Sequence, residues 1–492
     1  MMRVLTIVVT LIGVTVDARA RSLDDGVELL ERENYPSAAL IFYNVAATDP
    51  DDNRRNEALV YLAKTLQTMK LWGPASFYYQ VVLEDGPSNR RFVDALEQLL
   101  VIQKRYRDHV FVADVIDRSF DGEAFARLPD RTRIDQLNFV LGEFYLRRGE
   151  IDDARRFLET VREQSEHYAD ASYLLGLIAL RQGEQQRAGE LFATARTIAD
   201  AKPVNDDTQR LWSLATLAGA RAAYGLGRYS EAIAHYREIP RYTHFWFQSL
   251  YEQGWVHYQE ERYGEALGVL ESVLSPYFKK RHVPEVYVIQ GTAYFGYCQW
   301  DRVRRAVEEY RARYEPMMEQ LQGYLAEARD TATFFDDAIG AATYAPELAS
   351  EVRRVAWFAD FVFALRHLDW QAQRIAEIAA WRGSQLAADI VQMVDDKRRN
   401  TRAFAGSWVK QRLEFHAGNL KNFQAQIDIL DFEVTDAERQ WLEQGREILK
   451  GRRARLPRPD IPNDQWQHWS IGSEFWKDEL GYYQHTLQSE CD

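Results

Sequence analysis

The tightest constraint on this fold is a phase that recurs along the chain. Residues 169–200, ADASYLLGLIALRQGEQQRAGELFATARTIAD, read as helix, turn, helix. Leu175, Gly176 and Ala179 face inward from the first helix, and Ala188, Phe192 and Ala195 from the second. Small residues let two antiparallel helices approach, and large ones fill the groove between them. Gly183 stands where the first helix must end, because glycine enters the left-handed cap without a Cβ penalty. The small residue at Ala188 has counterparts at Ala38, Ala75, His109, Ala154, Ala232, Ala266 and Val303. Three of the seven gaps are 34 residues, two are 37, and two carry insertions of about ten. Four residues after each comes Phe42, Tyr79, Ala113, Leu158, Phe192, Tyr236, Leu270 or Val307. Three residues before most of them is an aromatic: Tyr35, Trp72, Tyr106, Tyr229, Tyr263 or Trp300. Pro50 and Pro87 close the first two units.

This pattern resembles the tetratricopeptide repeat (TPR). The resemblance covers residues 21–313 and implies an all-α, right-handed helical solenoid of about eight units, with the third (His109) and eighth (Val303) degenerate. It also implies which positions of each first helix line the inner surface: Phe139, Glu143 and Arg147; Tyr173, Leu177 and Arg181; Leu217, Arg221 and Tyr224; Tyr251, Trp255 and Tyr258; Val288 and Phe295. From that set, Tyr173, Arg181, Arg221, Tyr224, Tyr251, Trp255, Tyr258 and Phe295 are the candidate partner contacts, since aromatics and arginines anchor interfaces. The alternative role for the Tyr251–Trp255–Tyr258 cluster is packing between neighbouring helices. The lysine and asparagine set with which some TPR proteins clamp a C-terminal carboxylate is missing, which argues against chaperone-tail binding.

The flanks carry other signals. Met1 to Ala20 reads as a signal peptide: Arg3, then a 12-residue apolar run from Leu5 to Val16, then Ala18-Arg19-Ala20 at the cleavage site. The run is too short to span a bilayer, and no second one approaches that length. The chain is expected to be exported to the bacterial periplasm, in part peripheral to the outer membrane. Its net charge is −13, or −14 once the leader is removed. That balance speaks against nucleic acid and anionic lipid as partners. The two cysteines, Cys298 and Cys491, exclude a small disulfide scaffold. They either pair in an oxidising compartment or remain separate, one buried and one on a tail.

Two insertions interrupt the repeats, Ser119 to Asp130 and Lys202 to Asp207. No proline occurs between Pro346 and Pro457, and Val352, Val355, Phe358, Val362 and Leu365 keep helical spacing. Residues 314–450 are therefore expected to form long antiparallel helices that fold back near Asp395–Asn400 or Gly418. Thr435 with Glu438 reads as a capping box opening the last long helix. Residues 451–492 form a tail rich in Pro, Trp and Tyr. Pro457, Pro459 and Pro462 enforce an extended entry, and a helix from Ser473 would carry Trp476, Leu480, Tyr483 and Leu487 on one face. The tail either caps the array or docks on a partner through Trp466, Trp469, Phe475, Trp476 and Tyr483. The stretch WSIGSEFWKDELGYY, with the leader and the array, resembles periplasmic TPR components of bacterial gliding-motility and related envelope complexes.

Chemistry is not signalled. The chain contains no H-E-x-x-H, no phosphate-binding glycine loop, no G-x-S-x-G and no C-x-x-C, so no catalytic residue, metal ligand or cofactor is expected. His235 and His257 read as packing residues, and Asp152–Asp153 and Asp206–Asp207 as helix-end carboxylates. The expected function is a non-enzymatic scaffold for protein partners of a cell-envelope machine. The alternatives are an outer-membrane or cell-wall assembly factor of the same build and a glycan-processing enzyme with a TPR arm. The enzyme would need a second domain with strands.

Overall fold

The computed structural model describes residues 22–106, 111–126, 128, 130–340, 344–445, 461, 463–468 and 475–491. The leader, His109, Pro457, Pro459, Pro462 and Trp469 lie outside them. Among the described residues every regular element is a helix. Eight antiparallel pairs follow one another: α1 (Leu23–Glu31) and α2 (Tyr35–Thr48); α3 (Asp52–Thr68) and α4 (Trp72–Glu84); α5 (Phe92–Tyr106) and α6 (Phe111–Arg118). After the short α7 (Gly122–Ala126) come α8 (Arg131–Arg148) and α9 (Ile151–Glu159); α10 (Tyr168–Arg181) and α11 (Gln185–Ala201); α12 (Asp206–Gly225) and α13 (Tyr229–Glu238). Next are α14 (Trp246–Gln259) and α15 (Tyr263–Leu274), then α16 (Glu285–Gly296) and α17 (Trp300–Ala326). The remaining helices are α18 (Thr331–Ile339), α19 (Pro346–Arg354), α20 (Ala356–Glu377) and α21 (Gln385–Glu443).

Seven of the eight pairs are closed by the same local chemistry. The turn residue five positions before the small residue is left-handed: Gly149, Gly183 and Gly227 at φ of 81°, 79° and 71°, and Glu33, Lys70, Glu261 and Cys298 at 60°, 63°, 60° and 54°. The next backbone N–H then reaches back five residues, as in Glu184 to Ala179 at 2.9 Å and Gln299 to Tyr294 at 3.1 Å, which satisfies an orphan carbonyl of the first helix. Close approach is set by a second rule, a glycine sixteen residues before a large side chain. A Cβ on Gly26, Gly142, Gly176 or Gly254 would lie 2.5–2.7 Å from Phe42, Leu158, Phe192 or Leu270. In the eighth pair Gly291 instead faces Leu430 of α21, at 2.3 Å from such a Cβ.

The chain divides into two compact units. The first holds residues up to 129 together with 366–397. In it Trp381, fully buried, donates its indole N–H to the Pro36 carbonyl at 2.8 Å. The buried amide of Gln371 accepts from the Gly73 N–H at 3.0 Å, and Tyr43 bonds Asp389. In the 119–130 insertion Phe125 of α7 packs edge-to-face on Phe120 at 4.9 Å. The second unit holds residues 130–365 and 398 onward. There the Tyr310 hydroxyl donates to the Leu420 carbonyl at 3.1 Å, Arg304 pairs with Glu438, and Trp300 meets Trp441 at 5.6 Å.

The long-helix region differs from the expectation in two respects. α21 runs unbroken through Asp395–Asn400 and through Gly418. Its buried stripe, Ile390, Val394, Thr401, Ala405, Val409, Leu413, Leu420, Ile427 and Val434, keeps helical spacing across both positions, so neither has cause to bend. The fold-back lies at 378–384, where Gly383 takes φ 72° and the Ser384 hydroxyl accepts the Ala387 N–H at 3.2 Å. Thr435 and Glu438 do not open a helix. They lie inside α21, where Thr435 bonds the Asp431 carbonyl at 2.8 Å and Glu438 holds Arg304.

Candidate interaction surface

The first helices of pairs five to eight bring most of the predicted contacts to one row. Tyr173 on α10 is half-buried against Phe192, with ring centroids 5.8 Å apart. Arg181, at the end of the same helix, is exposed. Arg221 on α12 grips Glu252 on α14 with two groups, Nε at 2.9 Å and a terminal nitrogen at 2.6 Å. The Tyr236 hydroxyl donates to the same carboxylate at 2.8 Å. One repeat further on, the Tyr251 hydroxyl and the Trp255 indole N–H, the latter at 3.2 Å, both reach Glu285 at the start of α16. Burial first and Glu285 second push the Tyr251 phenol above its ordinary range, so it stays a donor.

Tyr258 sits between Trp255 and Tyr263, at 5.8 and 5.5 Å, and Tyr224 packs on Tyr229 at 5.7 Å. Phe295 rests on Trp300 at 5.1 Å and stands apart from the carboxylate clusters. The candidate aromatics thus do both jobs weighed from the sequence. They pack between helices, and they keep one edge at the surface. Sequence reasoning missed Glu252 and Glu285, which organise the row. Glu285 stands one 34-residue repeat after Tyr251, a coincidence of phase that would have flagged it.

The tail from Phe475 onward is not a helix. Residues 477–481 form a turn with Gly481 at φ 90°, and the chain then runs extended. A left-handed residue there ends any helix begun earlier, and backbone groups freed by the extended run bond to the array instead. The His485 N–H donates to the Gly264 carbonyl at 2.9 Å, and the Glu490 N–H to the Tyr297 carbonyl at 2.9 Å. Gly481 donates to the Ser272 hydroxyl at 2.8 Å, and Arg241 donates to the Asp478 and Leu480 carbonyls at 2.6 and 3.2 Å. Leu480 is fully buried in the core of pairs six to eight, with Phe475 and Tyr483 packed on that core. Trp466 and Trp476 remain exposed. Cys298 and Cys491 form a disulfide, joining the left-handed turn of the eighth pair to the end of the tail.

A cavity of about 310 Å³ lies between the end of α4 and residues 115–121, lined by Glu84, Arg118 and Asp121 among others. Among the described residues no group of three or more His, Cys, Asp or Glu is placed to hold a metal, and no helix is long and apolar enough to cross a membrane.

Helix pairs that share one turn geometry in seven cases and one glycine contact in four define an all-helical tandem-repeat protein. Residues 139–204 and 217–277 of this chain match the tetratricopeptide repeat family. Among solved structures it is similar to a Rap protein complexed with competence and sporulation factor, at 11% identity over 77% of this chain and 98% of that one, with a TM-score of 0.29. It is also similar to the TPR domain of P58(IPK), at 15% identity over 75% of this chain and 97% of that one, with a TM-score of 0.19. No curated protein sequence matches.

Proposed function

We propose that this chain is a non-catalytic scaffold of the bacterial periplasm that holds protein partners of a cell-envelope complex. The observation that carries the reading is the inner row of pairs five to eight. There, half-exposed Tyr173, Tyr224, Tyr251, Trp255 and Tyr258 alternate with the Arg221–Glu252 pair along consecutive first helices. Amphipathic rings beside fixed charges supply rigid anchor area at low entropic cost. The leader sequence and a disulfide, which persists in oxidising compartments, support the location. Gliding-motility machinery is the envelope complex that the tail sequence resembles.

The test is affinity purification of the full chain from envelope extract beside the variant Trp255→Ala/Arg221→Ala. Proteins identified in the wild-type eluate should fall at least tenfold in the variant eluate while its helical circular dichroism is kept. Equal recovery would remove this row from the binding surface. Replacing Ala18 and Ala20 with bulky residues should leave an uncleaved, membrane-retained precursor, and normal-sized soluble protein from that variant would refute export.

A further inference from the structure

Outside the inner row, arginines converge on one carboxylate. Glu351 on α19 has its Oε1 2.8 Å from Arg281 Nε, 3.7 Å from Arg354 Nε and 3.4 Å from the His282 backbone N–H. The Arg281 guanidinium lies over Phe247, its Cζ 3.7 Å from the ring centroid. His282 meets His416 of α21 edge-to-face at 5.3 Å, and Arg412 stands one helical turn before His416. Arg313 is nearby but matched, pairing with Glu347 at 3.3 Å. Arg281 and Arg354 therefore share Glu351, and Arg412 adds a third guanidinium one turn from His416.

The donors are in excess as well as the charge. The Nε of Arg281, Arg354 and Arg412, both ring nitrogens of His282 and Nε2 of His416 are buried without a hydrogen-bond partner in the described structure. Arg281 Nε is close to Glu351 but not aligned to donate. Buried cations and buried polar atoms are normally matched, and here six nitrogens, at least three of them guanidinium donors, and about two positive charges are not. The excess is local, in a chain whose net charge is −13. Burial lowers the pKa of both Arg281 and Arg412, as expected where a charge lacks its counter-charge. The side chains of Arg281 and Arg354 are 15% and 32% exposed, so the cluster can be reached from solvent.

We propose that Arg281, Arg354 and Arg412, with His282 and His416 behind them, form a binding site for a single oxyanion, a carboxylate or a phosphate. Planar guanidiniums bind either group through paired N–H donors. The site stands whether or not the inner row binds protein.

The test measures thermal stability and calorimetric binding of the full disulfide-bonded chain with two probes. These are inorganic phosphate and the dicarboxylate peptide acetyl-Glu-Glu-amide, each against sodium chloride at matched ionic strength. At least one probe should bind saturably and raise the melting temperature. Binding of phosphate alone assigns a phosphate ligand, and binding of the peptide alone a carboxylate. In Arg412→Gln that binding should weaken at least tenfold, while the ligand-free protein melts at the same temperature or higher because an unmatched buried charge is gone. Arg354→Gln, on another helix, should behave alike and decides the matter if the first variant misfolds. Failure of both probes to bind saturably overturns the site. So do variants that bind like the wild type, or variants that lose stability while anions change nothing.

Discussion

Gly268 on α15 lies directly beneath the Tyr483 carbonyl of the tail: a Cβ on Gly268 would come within 2.0 Å of that oxygen and 2.6 Å of the Gln484 Cα. Backbone cannot yield as a flexible side chain can. Gly268→Ala is therefore expected to push the tail off α15 although alanine is the better helix former. Leu480 would be uncovered, at a cost of about 2 kcal/mol for one large apolar side chain. Limited proteolysis should cut the variant after residue 463 well before the wild type is cut. Equal protection in both would mean that the tail does not rest on this helix.

Gly176 makes the analogous contact inside a repeat, where a Cβ would meet Phe192 at 2.5 Å. Gly176→Leu should destabilise the chain by about 1–3 kcal/mol or more through overpacking. An unshifted denaturant midpoint would show that the two helices are not pressed together at this point.

The disulfide should matter through the loop it closes, since Cys298 and Cys491 are 193 residues apart. Cys298→Ser is expected to cost about 2–5 kcal/mol and to free the end of the tail. Mild reductant should lower the melting temperature of the wild type and leave the variant unchanged. A wild type indifferent to reductant would contradict this.

Four buried histidines contribute to the acid response. Burial pushes His257, His416 and His485 down to about 4 and His282 to about 3, with Arg302 adding to the effect at His485. Against an unfolded value near 6.5, the unfolded chain binds more protons between those limits. These residues therefore stabilise the fold fully above about pH 6.5, and that contribution is lost as pH falls towards 4. His485 belongs to the tail, and its ring Nε2 lies 2.6 Å from Arg302. His485→Asn should flatten the stability–pH slope over that window. A slope identical to that of the wild type would place His485 outside the acid response.

Much of the array was legible because the repeat writes the same physics many times. Ala188, Phe192 and Gly183 each play one role in closing or packing a pair, and the eye needs only the phase to find the next copy. The inner row was legible as positions but not as chemistry. Tyr251 and Trp255 were visible, whereas Glu285 belongs to the next repeat and meets them only after the helices stack. α21 misled because Gly418 and the charged run at 395–400 look like breaks. A glycine facing open space costs about 1 kcal/mol in a helix, and the buried stripe on either side outweighs that. The tail misled for the opposite reason. Leu480 and Tyr483 keep helical spacing by accident, and the backbone partners that hold them extended lie more than 200 residues earlier in the chain.

The two glycines under the tail have a consequence for how this sequence can drift. Gly264 sits in the first turn of α15 and Gly268 in its interior, where the helix itself would favour almost any other residue. The atoms that forbid a side chain there are tail backbone: the His485 carbonyl at Gly264, and the Tyr483 carbonyl and Gln484 Cα at Gly268. A descendant that lost the tail would be released from that restriction and should acquire alanine or larger residues at both positions. Glycine at these two sites, compared across related chains, should therefore record whether a strap is present even where the last thirty residues cannot be aligned.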